Sequence, residues 1–538
     1  MSWEGVSCTT SRLFHNLGQI EEFTLPDIHE KPMYKYGRHC HGLVEWLHDL
    51  DQRMKTRGMS QDAIDLPHTV LSFQVAPFDW PAEWNSEWMN QESFQEATTS
   101  LHEDILLPGT GQVSQKRVLE PDVYTRAPNL IDAPGYFYVL PNKRRRRLLL
   151  DERAVEVVDI PVTCSQSDID EQLSWVHRVR VPKGYEKMII DPPESPGEGE
   201  RHPRISNDQL GGFLAALTEF TSWPQSFFGL LPTEGFSLRW SPYRQMKRNL
   251  ECQSLIEQAY NTLGWRLSNS VDEKLFYKIL SIVGYDYQVA HFVCLPSTSG
   301  LVAAAKVQLA SLIVSQRSYL EAIYDCLTLK EQGRLDSTYR VGLFREDGLH
   351  STLTMALGVM KLMLAGIAGL ASSDMDTDSS GIDFGDYVEH IKWVQAKCKL
   401  LIDAFIDAHV PIVDVASFSC DEQPLTLDQY GEVVFHLGKA FSYQAAYTGF
   451  GWDGKICFTE NMFTLRKYRF SKPIMDLHSW AQSDTEHPYY NGIVCFYTRI
   501  RCDDEASPRT IMDFTCLPTR FYRRWNEYVA SRHASNLV

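Results

Sequence analysis

The sequence predicts a mostly α chain of α+β class, with a large central helical region at residues 205–420 flanked by smaller β-containing N- and C-terminal regions at 1–190 and 421–538. Three observations predict it. Apolar residues recur at helical spacing through the centre, and β-branched runs of strand length lie on both sides. A stretch rich in Pro, Gly and Glu at 191–204, unable to hold a helix or a strand, reads as an exposed linker or loop between the first region and the second. With 538 residues, 43% of them hydrophobic and 12% aromatic, the chain can bury a sizeable core, which excludes a disordered tail, a collagen-like fibre and a disulfide-stapled miniprotein.

In the first region, residues 70–76, 154–162 and 176–181 alternate or run β-branched, as strands do. Trp80, Trp84 and Trp88 recur every four residues behind Pro81, the pattern of a helix with a large buried stripe that Phe94 extends. After the linker, Ser206 is placed to cap a helix with Gln209 at the capping-box position, and Pro224 limits its far end. Ser270 and Glu273 form a second such box before Phe276, Ile279, Leu280 and Val283. Leu301, Ala305, Leu309, Leu312, Leu320, Ile323 and Leu327 draw one amphipathic stripe, and Tyr387, Ile391, Val394, Cys398, Leu401 and Phe405 another.

Residues 352–371 are apolar enough to raise a membrane span. Lys361 near the middle, with no basic cluster or aromatic belt at either flank, argues instead for a helix buried in protein. In the last region, 455–459 and 493–502 read as strands and 519–533 as a terminal helix. That helix docks through Phe521, Trp525 and Tyr528, leaving Arg523 outside.

The net charge of -17 repels nucleic acid and anionic membranes on average, so contact with either needs a local basic patch. Lys143, Arg144, Arg145, Arg146 and Arg147 are that patch: five adjacent cations suited to neutralising phosphates without reading sequence, or to recognition by a nuclear import receptor. The plainer reading is a charged strand edge ahead of Leu148, Leu149 and Leu150. The start lacks a basic segment leading into an apolar run, and the 12 cysteines include no Cys-x-x-Cys pair. An intracellular, cytoplasmic chain with reduced thiols is expected.

His39, Cys40, His41, Glu45 and His48 form the densest ligand cluster. On a helix His41, Glu45 and His48 share a face and could hold a metal, with Asp347 and His350 as the nearest second pair. Asp374, Asp376 and Asp378 open like a calcium loop that then fails, with Ser379 where the sharp turn wants Gly and Gly385 where a bidentate Glu is needed. Gly449, Gly451 and Gly454 match GxGxxG by letter, but strand-like residues follow, so a hairpin turn is expected. No GxSxG, HExxH or GxxxxGK[ST] occurs, and no cofactor is expected.

The residues therefore read as a non-catalytic structural protein that assembles with copies of itself, a capsid-like shell subunit with the basic run facing enclosed nucleic acid. An intracellular enzyme with a dispersed, metal-dependent site is the alternative, and a membrane-associated protein using residues 352–371 the second.

Overall fold

The computed structural model of the chain describes the backbone of short strands between residues 35 and 190, and then residues 209–219, 240–258, 265–315, 341–345, 351–365, 385–451, 455–470, 492–502 and 508–534. In the first region a six-stranded sheet runs β1 (Lys35–Tyr36), β10 (Lys187–Ile190), β6 (Tyr136–Leu140), β2 (His68–Ser72), β4 (Lys116–Pro121) and β3 (Asn85–Met89). Every pairing in it is parallel. Two short parallel strands, β5 (Ile131–Asp132) and β9 (Val179–Arg180), pair separately. So does an antiparallel hairpin of β7 (Arg147–Leu150) and β8 (Val155–Val158). Trp88 lies in β3, which corrects the expected tryptophan helix. A spacing of four is even, so it also keeps residues on one face of a strand.

The helical body comprises α1 (Leu210–Ala216), α2 (Trp240–Cys252), α3 (Glu273–Ile282), α4 (Tyr287–Cys294), α5 (Gly300–Val314), α6 (Thr352–Leu364), α7 (Gly385–Asp407) and α8 (Leu427–Ala440). A small hairpin of β11 (Ile256–Gln258) and β12 (Trp265–Leu267) follows α2. At its centre, α5 is buried from Val302 to Leu312 on every face, packed by α4, α6, α7 and α8. It is therefore a helix buried all round, taking in Lys306, Gln308 and Ser311 with its apolar residues, and not the amphipathic one expected. The second stripe does form: Ile391, Val394, Cys398, Leu401 and Phe405 of α7 are all buried.

Two helix starts fall later than the capping boxes predict. Gln209 itself stands at the N-cap of α1 and makes no side-chain cap there, its Nε2 donating to the Gly284 carbonyl instead. Asp272 caps α3 by accepting from the Leu275 N–H, while Ser270 shares a hydroxyl contact with Ser268. A carboxylate is an equally good cap and sits one residue before the helix, where the geometry wants it.

Helix α6 ends at Leu364, and among the described residues no helix is long and apolar enough to cross a membrane. Lys361 is buried in an ion pair with Glu422, which also accepts from Gln308 Nε2 at 2.8 Å. Gly342, at φ +64, comes so close to this pair that a Cβ there would lie 2.5 Å from Lys361 Nζ. The charge that argued against a membrane span is thus spent holding α5, α6 and the 415–425 segment together.

The last region is a five-stranded sheet of β13 (Ala445–Phe450), β14 (Ile456–Asn461), β15 (Tyr468–Phe470), β16 (Gly492–Arg501) and β17 (Arg509–Cys516) in the order β14-β13-β16-β17-β15. All its pairings are antiparallel except β15 with β17, and an antiparallel bridge between Glu460 and Lys467 joins β14 to the start of β15. In chain order the circuit is first, second, third, fifth, fourth and back to the first, which is the five-stranded Greek-key barrel called the OB-fold. The terminal helix α9 (Thr519–Ala534) docks as expected, with Trp525 fully buried against Phe496 and Arg523 exposed.

Candidate nucleic-acid interface

The barrel separates an inward from an outward surface by strand alternation. Thr448 and Thr459 oppose each other inside, their hydroxyls 3.1 Å apart. Asn461 is fully buried and donates to the Tyr443 carbonyl at 2.8 Å and to Tyr497 Oη at 2.7 Å. Its Oδ1 accepts from the Phe463 and Thr464 N–H groups, which shapes the turn into β15, where Leu465 adopts φ 57. Tyr468 also points inward and donates to the buried carboxylate of Glu156. Burial, and after it the Glu156 charge, pushes the Tyr468 and Tyr497 phenols well above their ordinary value.

If Thr448 and Thr459 face inward, the flanking cross-strand pairs Tyr447 with Glu460 and Gly449 with Phe458 face outward. Two rings then lie across the barrel wall over glycines. A Cβ on Gly449 would sit 2.5 Å from Phe458 Cε1 and 2.7 Å from its Cζ. A Cβ on Gly492, in the next strand, would sit 2.5 Å from Tyr447 Cζ. Only the missing side chains let the rings lie so close to the backbone. Their centroids are 5.9 Å apart at an interplanar angle of 44°, and Phe458 remains 40% exposed. The glycine that began the GxGxxG match therefore serves as a floor for an aromatic ring. The expected hairpin is present there, closed by the Gly451 N–H donating to the Lys455 carbonyl.

Exposed cations stand beside β14 and at β15. Lys455, Lys467 and Arg469 are exposed, as are Ile456 and Leu465, with Glu460 bridged to Lys467 as the acidic neighbour. Flat rings offer faces on which bases stack, and Lys and Arg beside them neutralise phosphates, so this surface has the chemistry of single-strand binding. It lies on the second and third strands, the face on which barrels of this type take oligonucleotides or oligosaccharides. Sequence reading recognised the strand at 455–459 and passed over the alternation in Arg466-Lys467-Tyr468-Arg469-Phe470, which was the available signal.

Of the residues singled out by sequence, Arg147 opens β7 and Lys143, Arg144, Arg145 and Arg146 lie outside the described residues. In the chain the run follows closely on the carboxyl end of β6 at Leu140. There the order in which strands are added reverses: from β2 the chain continues to strands on one side, and from β6 to strands on the other. The carboxyl ends of such neighbouring strands are where open parallel sheets bind ligands. His39, His41, Glu45, His48, Asp347, His350, Asp374, Asp376 and Asp378 also fall outside the described residues, as does the 191–204 linker. Among the described residues no group of three or more His, Cys, Asp or Glu side chains is placed to hold a metal, and the described cysteines form no disulfide with one another.

No family model matches the chain, and no curated protein does. Solved structures similar to it include the Escherichia coli DExH-box NTPase HrpB, at 10% identity and TM-score 0.39 over 89% of this chain and 46% of that one. Another is the Escherichia coli DEAH/RHA helicase HrpB, at 12% identity and TM-score 0.45 over 91% of this chain and 48% of that one. The chain spans about half the length of these structures. They are an NTPase and a helicase, enzymes and not shell subunits, and this corrects the expectation of a self-assembling, capsid-like protein. At these TM-scores the likeness decides neither the fold nor the activity of this chain.

Proposed function

We propose that the chain binds single-stranded nucleic acid on the outer face of its C-terminal barrel. The observation that carries this reading is the pair of rings, Tyr447 and Phe458, laid over Gly492 and Gly449, on a barrel that exposes Lys455 beside β14 and Lys467 and Arg469 at β15. Bases stack on the rings and phosphates meet the cations, a mode that tolerates any sequence because every base has a π-face. The basic run at 143–147 supplies a second set of phosphate contacts. Self-assembly is no part of this reading.

Binding of a fluorescent single-stranded oligoribonucleotide, followed by anisotropy against salt concentration, tests it. Affinity should fall linearly on a double-logarithmic plot, with a slope of about -0.7 per phosphate neutralised. The double variant Lys467→Gln, Arg469→Gln should make that slope shallower by about 1.4, and replacing Arg144, Arg145, Arg146 and Arg147 by Gln should reduce it further. A wild-type protein that leaves the oligonucleotide free at low salt refutes the reading.

A further inference from the structure

Two cysteines stand directly opposite each other in the barrel wall. Cys495 of β16 pairs in register with Cys516, the last residue of β17. Beside this pair the Leu517 N–H donates to the Val494 carbonyl at 2.8 Å. In an antiparallel ladder a bond at that flanking position marks the enclosed pair as one that exchanges no backbone hydrogen bonds. Such pairs have Cα atoms about 4.5 Å apart and the closest side chains of the ladder, within the roughly 4.4–6.8 Å over which a disulfide closes. Residues directly opposite share a face, so both thiols lie on the side that carries Tyr497 and the Thr448 hydroxyl, with which Cys495 shares a hydrogen bond. Both side chains are fully buried, and neither forms a disulfide with another described cysteine. Burial pushes both thiols well above their ordinary value, and Cys495 beside it raises that of Cys516 further. Among the described residues no other pairing in the barrel sets two cysteines opposite each other.

We propose that Cys495 and Cys516 are a redox pair: they close to a cross-strand disulfide while the barrel is open, and the folded wall then seals them in whichever state they hold. The inference is independent of the nucleic-acid reading. Its chemistry is thiol–disulfide exchange with a small disulfide, that of glutathione. The thiolate of one cysteine attacks the small disulfide, forming a mixed disulfide and expelling one small thiolate. The thiolate of the other attacks the protein sulfur of that bond, which closes Cys495 Sγ to Cys516 Sγ and expels the second small thiolate. The protein gives up two protons, and its two electrons end on two molecules of small thiol. Each attack needs a thiolate and a path to it. The open chain offers both. The folded barrel offers neither, because it keeps the sulfurs protonated and out of reach of solvent. Once made, the bond ties β16 to β17 across residues 496–515 and fixes the strand that leads into α9.

The test uses the full chain, unfolded in urea with a reducing agent, desalted, and refolded with reduced glutathione alone or together with its disulfide. Remaining thiols are then alkylated in denaturant and the peptides mapped by mass. Refolding in the oxidising mixture should give a linked Cys495–Cys516 peptide in most molecules. The reduced chain, folded first and then placed in the same mixture, should form the bond slower by about tenfold or more, since exchange must wait for the wall to open. Amide hydrogen exchange at 493–502 and 509–516 should slow by about tenfold or more in the oxidised protein, and Cys516→Ser treated alike should show no slowing. A refolded protein with both residues alkylated, or linked to other cysteines instead, overturns the inference, as does oxidation of the folded chain at the refolding rate. Should the chain not refold from urea, production in bacterial hosts with an oxidising or a reducing cytoplasm decides the matter. The linked peptide from the oxidising host alone supports the pair, and its absence from both overturns it.

Discussion

Removing the Phe458 ring isolates stacking from charge. The ring rests on Gly449 with one face and keeps 40% of its surface open, so its other face is the platform for a base. A base stacked on an aromatic side chain is worth about 1–3 kcal/mol by alanine substitution, and Phe458→Ala should therefore weaken single-strand binding by roughly 5- to 150-fold. Because no cation is lost, the salt slope should not move. The half-exposed ring contributes only about 1–2 kcal/mol to folding, so the variant should remain folded. Gly449→Val provides the companion test: its Cβ would fall 2.5 Å from Phe458 Cε1, forcing the ring off the wall while leaving it in the protein. Affinity should drop in the same range with the same slope. Anisotropy titrations at three or more salt concentrations read both quantities. A Phe458→Ala protein that binds within twofold of wild type refutes the platform.

Further outcomes follow from the interior. Lys361→Met should lower unfolding free energy by about 3–5 kcal/mol in urea, since it strands the Glu422 carboxylate, and pairing it with Glu422→Gln should restore much of the loss; a mild effect of the single change would show the pair to be solvated. Leu401 is 1% exposed, so Leu401→Asp should abolish stable folding, and a normally soluble, cooperative variant would show α7 to be misplaced. Burial first, then the charges of Lys439 and Lys306, holds His291 down to about 3, and burial with Lys306 foremost among the charges holds His436 to about 2. Below the ordinary value of 6.5 the unfolded chain takes up protons that the folded chain refuses, so their contribution is intact above pH 6.5 and is lost as pH falls toward 3. His291→Leu should flatten the decline of the urea midpoint between pH 7 and pH 4, and an unchanged pH profile would contradict the burial of that ring.

Local pattern carried the elements whose faces are one-sided. The α7 stripe, the docking of Trp525 and the hairpin at Gly451 could be read because each depends on neighbours within one or two turns. Helix α5 could not be read correctly, since Val302, Ala303, Ala304 and Val307 are buried off the expected stripe, and any stripe drawn on a helix buried all round is arbitrary. The strand β3 was hidden by a tryptophan spacing compatible with two periods. The barrel was beyond reach for a different reason: its defining pair, β15 with β17, joins segments whose closeness no local spacing encodes. The same holds for Phe458, whose role depends on a glycine in a neighbouring strand.

The buried Glu156 carboxylate has a consequence for where this chain can be cut. A fragment beginning after Val158 would carry all five barrel strands yet lack the anion on which Tyr468, Tyr497 and Arg509 converge. The C-terminal module is therefore not autonomous: its last piece is made first, and during synthesis that piece must wait until β17 has emerged before its pocket exists. Fragments that begin within residues 191–204, the obvious place to divide the sequence, should yield an unstable barrel unless residues 147–158 are supplied in trans.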